Sequence, residues 1–183
     1  MLMRKDHATL LVVDVQDKLL PAVDKADAML AACRWLVGVA RDTALPVVFS
    51  EQYPKGLGHT HADLLAEYPG APVVSKLHFS CVAGDCLPDS LLAREQVIVC
   101  GMETHVCVLQ TVLHLLAAGK QVYVVADAVG SRKESDRQLG LERMRQAGAV
   151  LVSREMVLFE MLEAAGSELF KSLSKRYLMG EQP

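Results

Sequence analysis

Six short runs of this chain are apolar at almost every position, and longer stretches with helical spacing separate them. Ala8 to Val15, Pro46 to Glu51, Val73 to Lys76, Gln96 to Gly101, Gln121 to Ala126 and Val150 to Ser153 read as strands. A strand that alternates apolar and polar residues has one wet face. A strand that is apolar throughout is buried on both, which marks a parallel sheet covered by helices. Helical patterns fall over Ala26 to Arg41, Leu87 to Arg94, Thr104 to Ala118 (closed by Gly119), Lys133 to Gln146, Val157 to Glu163 and Ser167 to Tyr177. This βαβ alternation predicts a three-layer α/β/α sandwich. A length of 183 residues, 51% of them hydrophobic, suits one domain over residues 1–183. The longest irregular stretch, Gln52 to Pro72, carries Pro54, Pro69 and Pro72. It reads equally as a lid or interface element and as an ordinary surface loop.

Charge and composition exclude several classes. The formal net charge is −3 and no basic patch stands out, so no nucleic-acid partner is expected. No apolar stretch reaches the ~18 residues of a membrane span, so no membrane association is expected. The segment Met1 to Asp6 enters a strand almost at once and lacks a secretory pattern. The five cysteines are Cys33, Cys81, Cys86, Cys100 and Cys107. An odd count, with two of them inside predicted buried elements, points to free thiols in a reducing compartment, and a cytoplasmic location is expected. Cys81 and Cys86 are spaced wider than a usual zinc pair, and no second pair with ligand spacing exists.

In open α/β sheets, ligands bind beyond the carboxyl ends of the strands. Strand one delivers Asp14 and Gln16 there, strand two Glu51 and Tyr53, and strand three Lys76, His78 and Phe79. Strand four leads to Cys107 and strand five ends at Asp127. The segment Val97 to Cys107 reads as strand, tight turn and helix. It puts the thiol in a first helical turn, where unpaired N–H groups and the helix dipole favour an anion, so the thiol is expected to ionise readily. A thiol attacking a carbonyl needs a base for its proton and an acid for the leaving group. One carboxylate can serve as both in turn, and a nearby ammonium holds the charged forms. Asp14, Lys76 and Cys107 supply those three types. Taken singly, each has an ordinary reading: a turn cap, a solvated strand end, a core cysteine. The last is the better reading for Cys33 and Cys100. Gln16 either orients Asp14 or satisfies backbone groups. Tyr53, Phe79 and Met102 are candidates for the pocket wall, with packing as the alternative. His78 and His105 read as exposed or core residues, and Arg132 to Arg137 as a solvated helix start.

Three blocks carry a resemblance: Leu11-Val12-Val13-Asp14-Val15-Gln16, Lys76-Leu77-His78-Phe79-Ser80 and Gly101-Met102-Glu103-Thr104-His105-Val106-Cys107-Val108. Together, and in this order, they resemble the signature blocks of the isochorismatase-like cysteine hydrolases. The resemblance implies a Rossmann-like six-stranded parallel sheet in the order 3-2-1-4-5-6 and a catalytic triad of Asp14, Lys76 and Cys107. It also implies a non-proline cis peptide at Met102–Glu103 and an oxyanion site formed by the N–H groups of Glu103 and Cys107. The implied reaction is cleavage of a small amide or ester-like bond through a thioester on Cys107, with no cofactor. Nicotinamidase-type members hold a metal through an Asp-x-His motif after the second strand. Here that place reads Ser50-Glu51-Gln52-Tyr53-Pro54-Lys55-Gly56, without the motif, so no metal is expected, although His59 and His61 could serve as ligands. Members that cleave isochorismate do not use cysteine at the nucleophile position, so Cys107 argues against that substrate. The segment Ser50 to Gly58 resembles a subgroup of isochorismatase domain-containing proteins. By analogy a homo-oligomer is expected, with the apolar segment Val157 to Leu178 as a surface for it. Alternative roles for the same fold are a protein-interaction module and a thiol-redox sensor.

Overall fold

The computed structural model describes residues 1–179. The strands are β1 (Ala8–Val13), β2 (Val47–Gln52), β3 (Val73–Lys76), β4 (Gln96–Met102), β5 (Gln121–Gly130) and β6 (Val150–Val152). They form one sheet in the order β3-β2-β1-β4-β5-β6, and every pair is parallel, as the resemblance implied. The helices are α1 (Ala26–Asp42), α2 (Pro54–Leu57), α3 (Ala62–Glu67), α4 (Asp89–Leu92), α5 (Leu109–Ala117), α6 (Glu134–Gln146), α7 (Arg154–Leu162) and α8 (Glu168–Tyr177).

Successive strand residues point to opposite faces of the sheet, and here both faces are dry. Leu10, Val12, Phe49, Ile98 and Tyr123 pack on one side, against α1. That helix presents Met29, Ala32, Cys33, Leu36, Val37 and Ala40, a spacing that lines a single stripe. Leu11, Val13, Val48, Val97 and Val124 pack on the other side, against Val112 and Leu115 of α5 and Met144 of α6. Each such side chain gains about 1.5–3 kcal/mol by leaving water. Polar side chains sunk into the same layers therefore need partners, and they mark where the chain does something besides packing.

The elements depart from the expected ones where local chemistry intervenes. The stretch Gln52 to Pro72 is not irregular but holds α2 and α3, and α2 opens on Pro54, whose fixed φ suits a first helical position. The helix expected over Leu87 to Arg94 shrinks to α4 because Pro88 ends upstream helix and takes the cap position in an extended conformation. Strand β5 runs past Ala126 to Gly130. A register shift between Val99 and Gly101 lets Gly101 pair with Val129 and Met102 with Gly130. The helix expected from Thr104 starts with a π-helical turn, Thr104–Val108, before α5.

Gly101 has a structural requirement of its own. Its φ is +113°, and a Cβ there would lie 2.1 Å from the carbonyl oxygen of Val13 on the neighbouring strand. No rotamer relieves a clash with backbone. A Gly101→Ala variant is expected to lose more than about 4 kcal/mol, to be read as a collapsed or missing urea transition.

Candidate active site

Asp14 follows β1 directly and adopts a left-handed conformation, φ +51°, which is uncommon for a non-glycine residue and is concentrated at functional sites. Its N–H donates to the Ser50 carbonyl at 3.0 Å. Its carboxylate is buried and fully engaged: the Ser50 hydroxyl donates to Oδ1 at 2.7 Å and Lys76 Nζ donates to Oδ2 at 2.7 Å. Lys76 Nζ also donates to Gln52 Oε1 at 2.8 Å. Sheet register explains the convergence. Val13 lies opposite Ser50 and Gln52 opposite Lys76, so three adjacent strand ends aim polar groups at one point. Ser50 and Gln52 are two apart on β2 and share a face, while Glu51 between them turns to the other side.

Cys107 comes to the same cluster from the π-helical turn after β4, beside β1. Its sulfur lies 4.0 Å from Gln52 Oε1, and the Asp14 carboxylate and the Lys76 ammonium are near enough to act on the thiol electrostatically. The residue is only 5% exposed. Readier ionisation, expected from the helix start, is not what this environment produces. Burial pushes the thiol well above its ordinary value, the Asp14 carboxylate pushes it further, and the Lys76 ammonium offsets only part of this. The resting sulfur is a thiol, and a base must take its proton before it can attack. Burial alone would lower the Lys76 ammonium, yet the Asp14 carboxylate and the Cys107 sulfur outweigh it and leave lysine more firmly protonated than usual.

The remaining candidates separate cleanly. The Met102–Glu103 peptide is cis. Glu103 caps the π-helical turn, and its side chain is held by Arg132 Nε at 2.7 Å. Met102 is not a pocket wall: it is fully buried on the α1 side of the sheet, because strand alternation turns it away from the face that carries Cys107. Gln16 is likewise sealed. Its Nε2 donates to the carbonyls of Gln52 (3.0 Å) and Gly58 (2.6 Å), and its Oε1 accepts from the Gln52 N–H at 2.8 Å, so it is scaffold rather than lining. Tyr53 and Phe79 are about half exposed. Asp127 sits within β5, not at its end, and takes the Arg154 N–H at 2.9 Å, away from the triad. His105 pairs with Ser131 at 3.0 Å and His78 is exposed. Glu51 accepts from the Thr60 N–H at 2.7 Å and contacts His59 at 3.2 Å, whereas His61 accepts from the Asp63 N–H. Those side chains take separate partners. Among the described residues no group of three or more His, Cys, Asp or Glu side chains could hold a metal ion.

A groove of about 320 Å³ is lined by Pro54, Ser75, Lys76, Leu77, His78 and Gly84, so of Asp14, Lys76 and Cys107 it touches Lys76. A second depression, beside the last part of β5, includes Asp24, Lys25, Asp127, Glu134 and Arg137, where Arg137 pairs with Glu134 at 2.9 Å and Asp127 with Arg154 at 3.5 Å. Sequence reasoning passed over Ser50 and Gln52. The signal for them was present: three consecutive polar residues, Ser50, Glu51 and Gln52, close an otherwise apolar strand, and the first and third of them share a face.

Several known proteins share this chain's sequence or shape. Isochorismatase domain-containing protein 2 from Bos taurus is 41% identical over 169 residues, covering 91% of this chain and 80% of its own. The Mar1 ribonuclease from Caenorhabditis elegans superposes with a TM-score of 0.91 at 34% identity, covering 100% of this chain and 95% of its own. The YcaC gene product of Escherichia coli, described as an octameric hydrolase of unknown specificity, superposes with a TM-score of 0.89 at 26% identity, covering 98% and 92%. Among the described residues no helix is long and apolar enough to cross a membrane. A family model described as the isochorismatase domain matches residues 8–156, and with these likenesses and the sheet order it establishes that the chain belongs to the isochorismatase family.

Proposed function

We propose that this protein is a metal-independent cysteine hydrolase that cleaves a small amide or ester-like bond. Family membership supports a hydrolase-like function. The observation that carries the finer reading is the buried meeting of three groups: Lys76 Nζ lies 2.7 Å from Asp14 and 2.8 Å from Gln52 Oε1, and the Cys107 sulfur lies 4.0 Å from that same oxygen. In this reading Asp14 takes the thiol proton as sulfur attacks the carbonyl carbon, forming a C–S bond. The N–H groups of Glu103 and Cys107, at the amino end of the helix, receive the oxyanion. Asp14 returns the proton to the leaving amine or alkoxide as its bond to carbon breaks. Water, deprotonated by the same carboxylate, then hydrolyses the thioester and regenerates the thiol. Lys76 favours the charged form of whichever partner is ionised, the Asp14 carboxylate at rest and the sulfur as it attacks.

The chemistry of the site disfavours redox sensing and RNA cleavage. Peroxide sensing needs an exposed, readily ionised thiol, and this one is buried and held protonated. Cleaving RNA calls for cations at the phosphates. Here the formal net charge is −3, and the one ammonium at the thiol is already matched by Asp14. A small-molecule substrate fits the groove beside Lys76. A homo-oligomer is supported by the octameric state of the Escherichia coli neighbour and by Met156, Phe159 and Leu169, which stay exposed while Leu158 and Leu173 turn inward.

The test is to incubate the protein with a panel of small amides and esters, quench in acid and weigh it intact. The expected result is a mass gain equal to the acyl group, mapping to Cys107, with release of the amine or alcohol. No adduct and no released product across the panel would sink the reading.

A further inference from the structure

The Gln52 side chain approaches both Lys76 and the Cys107 sulfur, and it is held from three directions. Its N–H donates to Gln16 Oε1 at 2.8 Å, and its carbonyl accepts from Gln16 Nε2 at 3.0 Å. Its own Nε2 donates to the Leu77 carbonyl at 2.8 Å. Those contacts fix which end of the amide faces where. A reversed amide would set its oxygen against the Leu77 carbonyl and its NH₂ against an ammonium, two unfavourable meetings. So Oε1 faces Lys76 Nζ at 2.8 Å, with the sulfur 4.0 Å away.

An ammonium has three protons. Asp14 takes one and Gln52 takes a second, so two fixed acceptors set the direction of the third. We propose that Gln52 is a positioning residue of the hydrolytic centre: its amide oxygen holds the Lys76 ammonium beside the Cys107 sulfur, and does so without placing a second carboxylate there. This rests on the reading of Cys107 as nucleophile. Neutrality matters because the thiol already faces the Asp14 carboxylate, with Lys76 and the Cys81 thiol as its other titratable neighbours. A glutamate here would keep the contact to lysine but oppose the thiolate, and would also meet the Leu77 carbonyl oxygen with another oxygen.

The test compares the full-length protein with Gln52→Met and Gln52→Glu variants, using iodoacetamide at pH 8 and peptide-resolved mass spectrometry of Cys107. At that pH the alkylation rate follows the small thiolate fraction. Both variants lose the donor to Leu77, but only one adds charge. The expected result is alkylation at least threefold slower in Gln52→Met and at least a further tenfold slower in Gln52→Glu. A side chain that merely tacks Leu77 to β2 gives the opposite sign: loosening the loop opens the approach to sulfur, and alkylation quickens equally in both. An unchanged or faster rate in Gln52→Met overturns the proposal. If that variant does not fold, Gln52→Asn, neutral but one carbon too short, is held to the same threshold. The readout needs no substrate, so its failure is distinct from failure to find an acyl adduct.

Discussion

A Cys107→Ser variant is expected to lose about 10⁴-fold or more in kcat toward any substrate the protein cleaves, while folding almost as well as the parent. The two side chains have nearly the same shape, and position 107 is 5% exposed, so the structural change is one sulfur for one oxygen. That exchange costs on the order of 1 kcal/mol, a shift of about 2–4 °C in Tm for a chain of this length. Chemistry pays far more heavily. The thiol is already hard to ionise here, because burial and the Asp14 carboxylate both oppose the anion. A hydroxyl in the same place is harder still, and Asp14 is a weak base for it. The measurement is steady-state turnover beside a thermal melt. Retained turnover with an intact melt would remove Cys107 from the mechanism.

Much of the fold was legible because it depends on a local pattern. Doubly buried strands such as Leu10 to Val13 announce a parallel sheet, and six of them separated by helical spacing leave few architectures. The grouping of Asp14, Lys76 and Cys107 was legible for a related reason, since each stands at or just beyond the carboxyl end of a recognisable strand. What escaped was whatever depends on register and on face. Met102 looked like a pocket residue because it is adjacent in sequence to the active turn, yet alternation sends it through the sheet to the α1 side. Ser50 looked like one more strand residue and Gln52 like the start of a loop, yet pairing with Val13 and Lys76 puts them at the centre of the cluster. The ionisation of Cys107 also went the other way. A helix terminus acts on any thiol placed there, but desolvation depends on what closes over the sulfur, and that is set by Lys76, Gln52 and the surrounding core rather than by the turn itself.

Among Asp14, Lys76 and Cys107, the largest effect on stability is expected from Lys76→Met. Lys76 and Asp14 are both without side-chain exposure, and their 2.7 Å contact is the compensation for burying two charges. Removing the ammonium leaves Asp14 with the Ser50 hydroxyl as its partner and an uncompensated charge, a loss of about 3–5 kcal/mol. A chemical-denaturation midpoint is the direct readout. Two further results would tie the loss to charge rather than to packing. First, Lys76→Met combined with Asp14→Leu is expected to regain much of the stability, because an apolar pair of similar volume needs no compensation. Second, the loss follows pH with a definite sign. The Lys76 ammonium is raised in the folded state, since Asp14 and the Cys107 sulfur outweigh the lowering effect of burial. A raised folded value means the contribution is fully present below the ordinary lysine value of about 10.4 and fades as pH climbs through the folded one. The stability gap between parent and Lys76→Met should therefore stay level from neutral pH to about 9 and narrow above about 10.4. A gap under about 1 kcal/mol at neutral pH, the worth of a solvated surface pair, would mean that water reaches this cluster and that its three groups do not share a dry site.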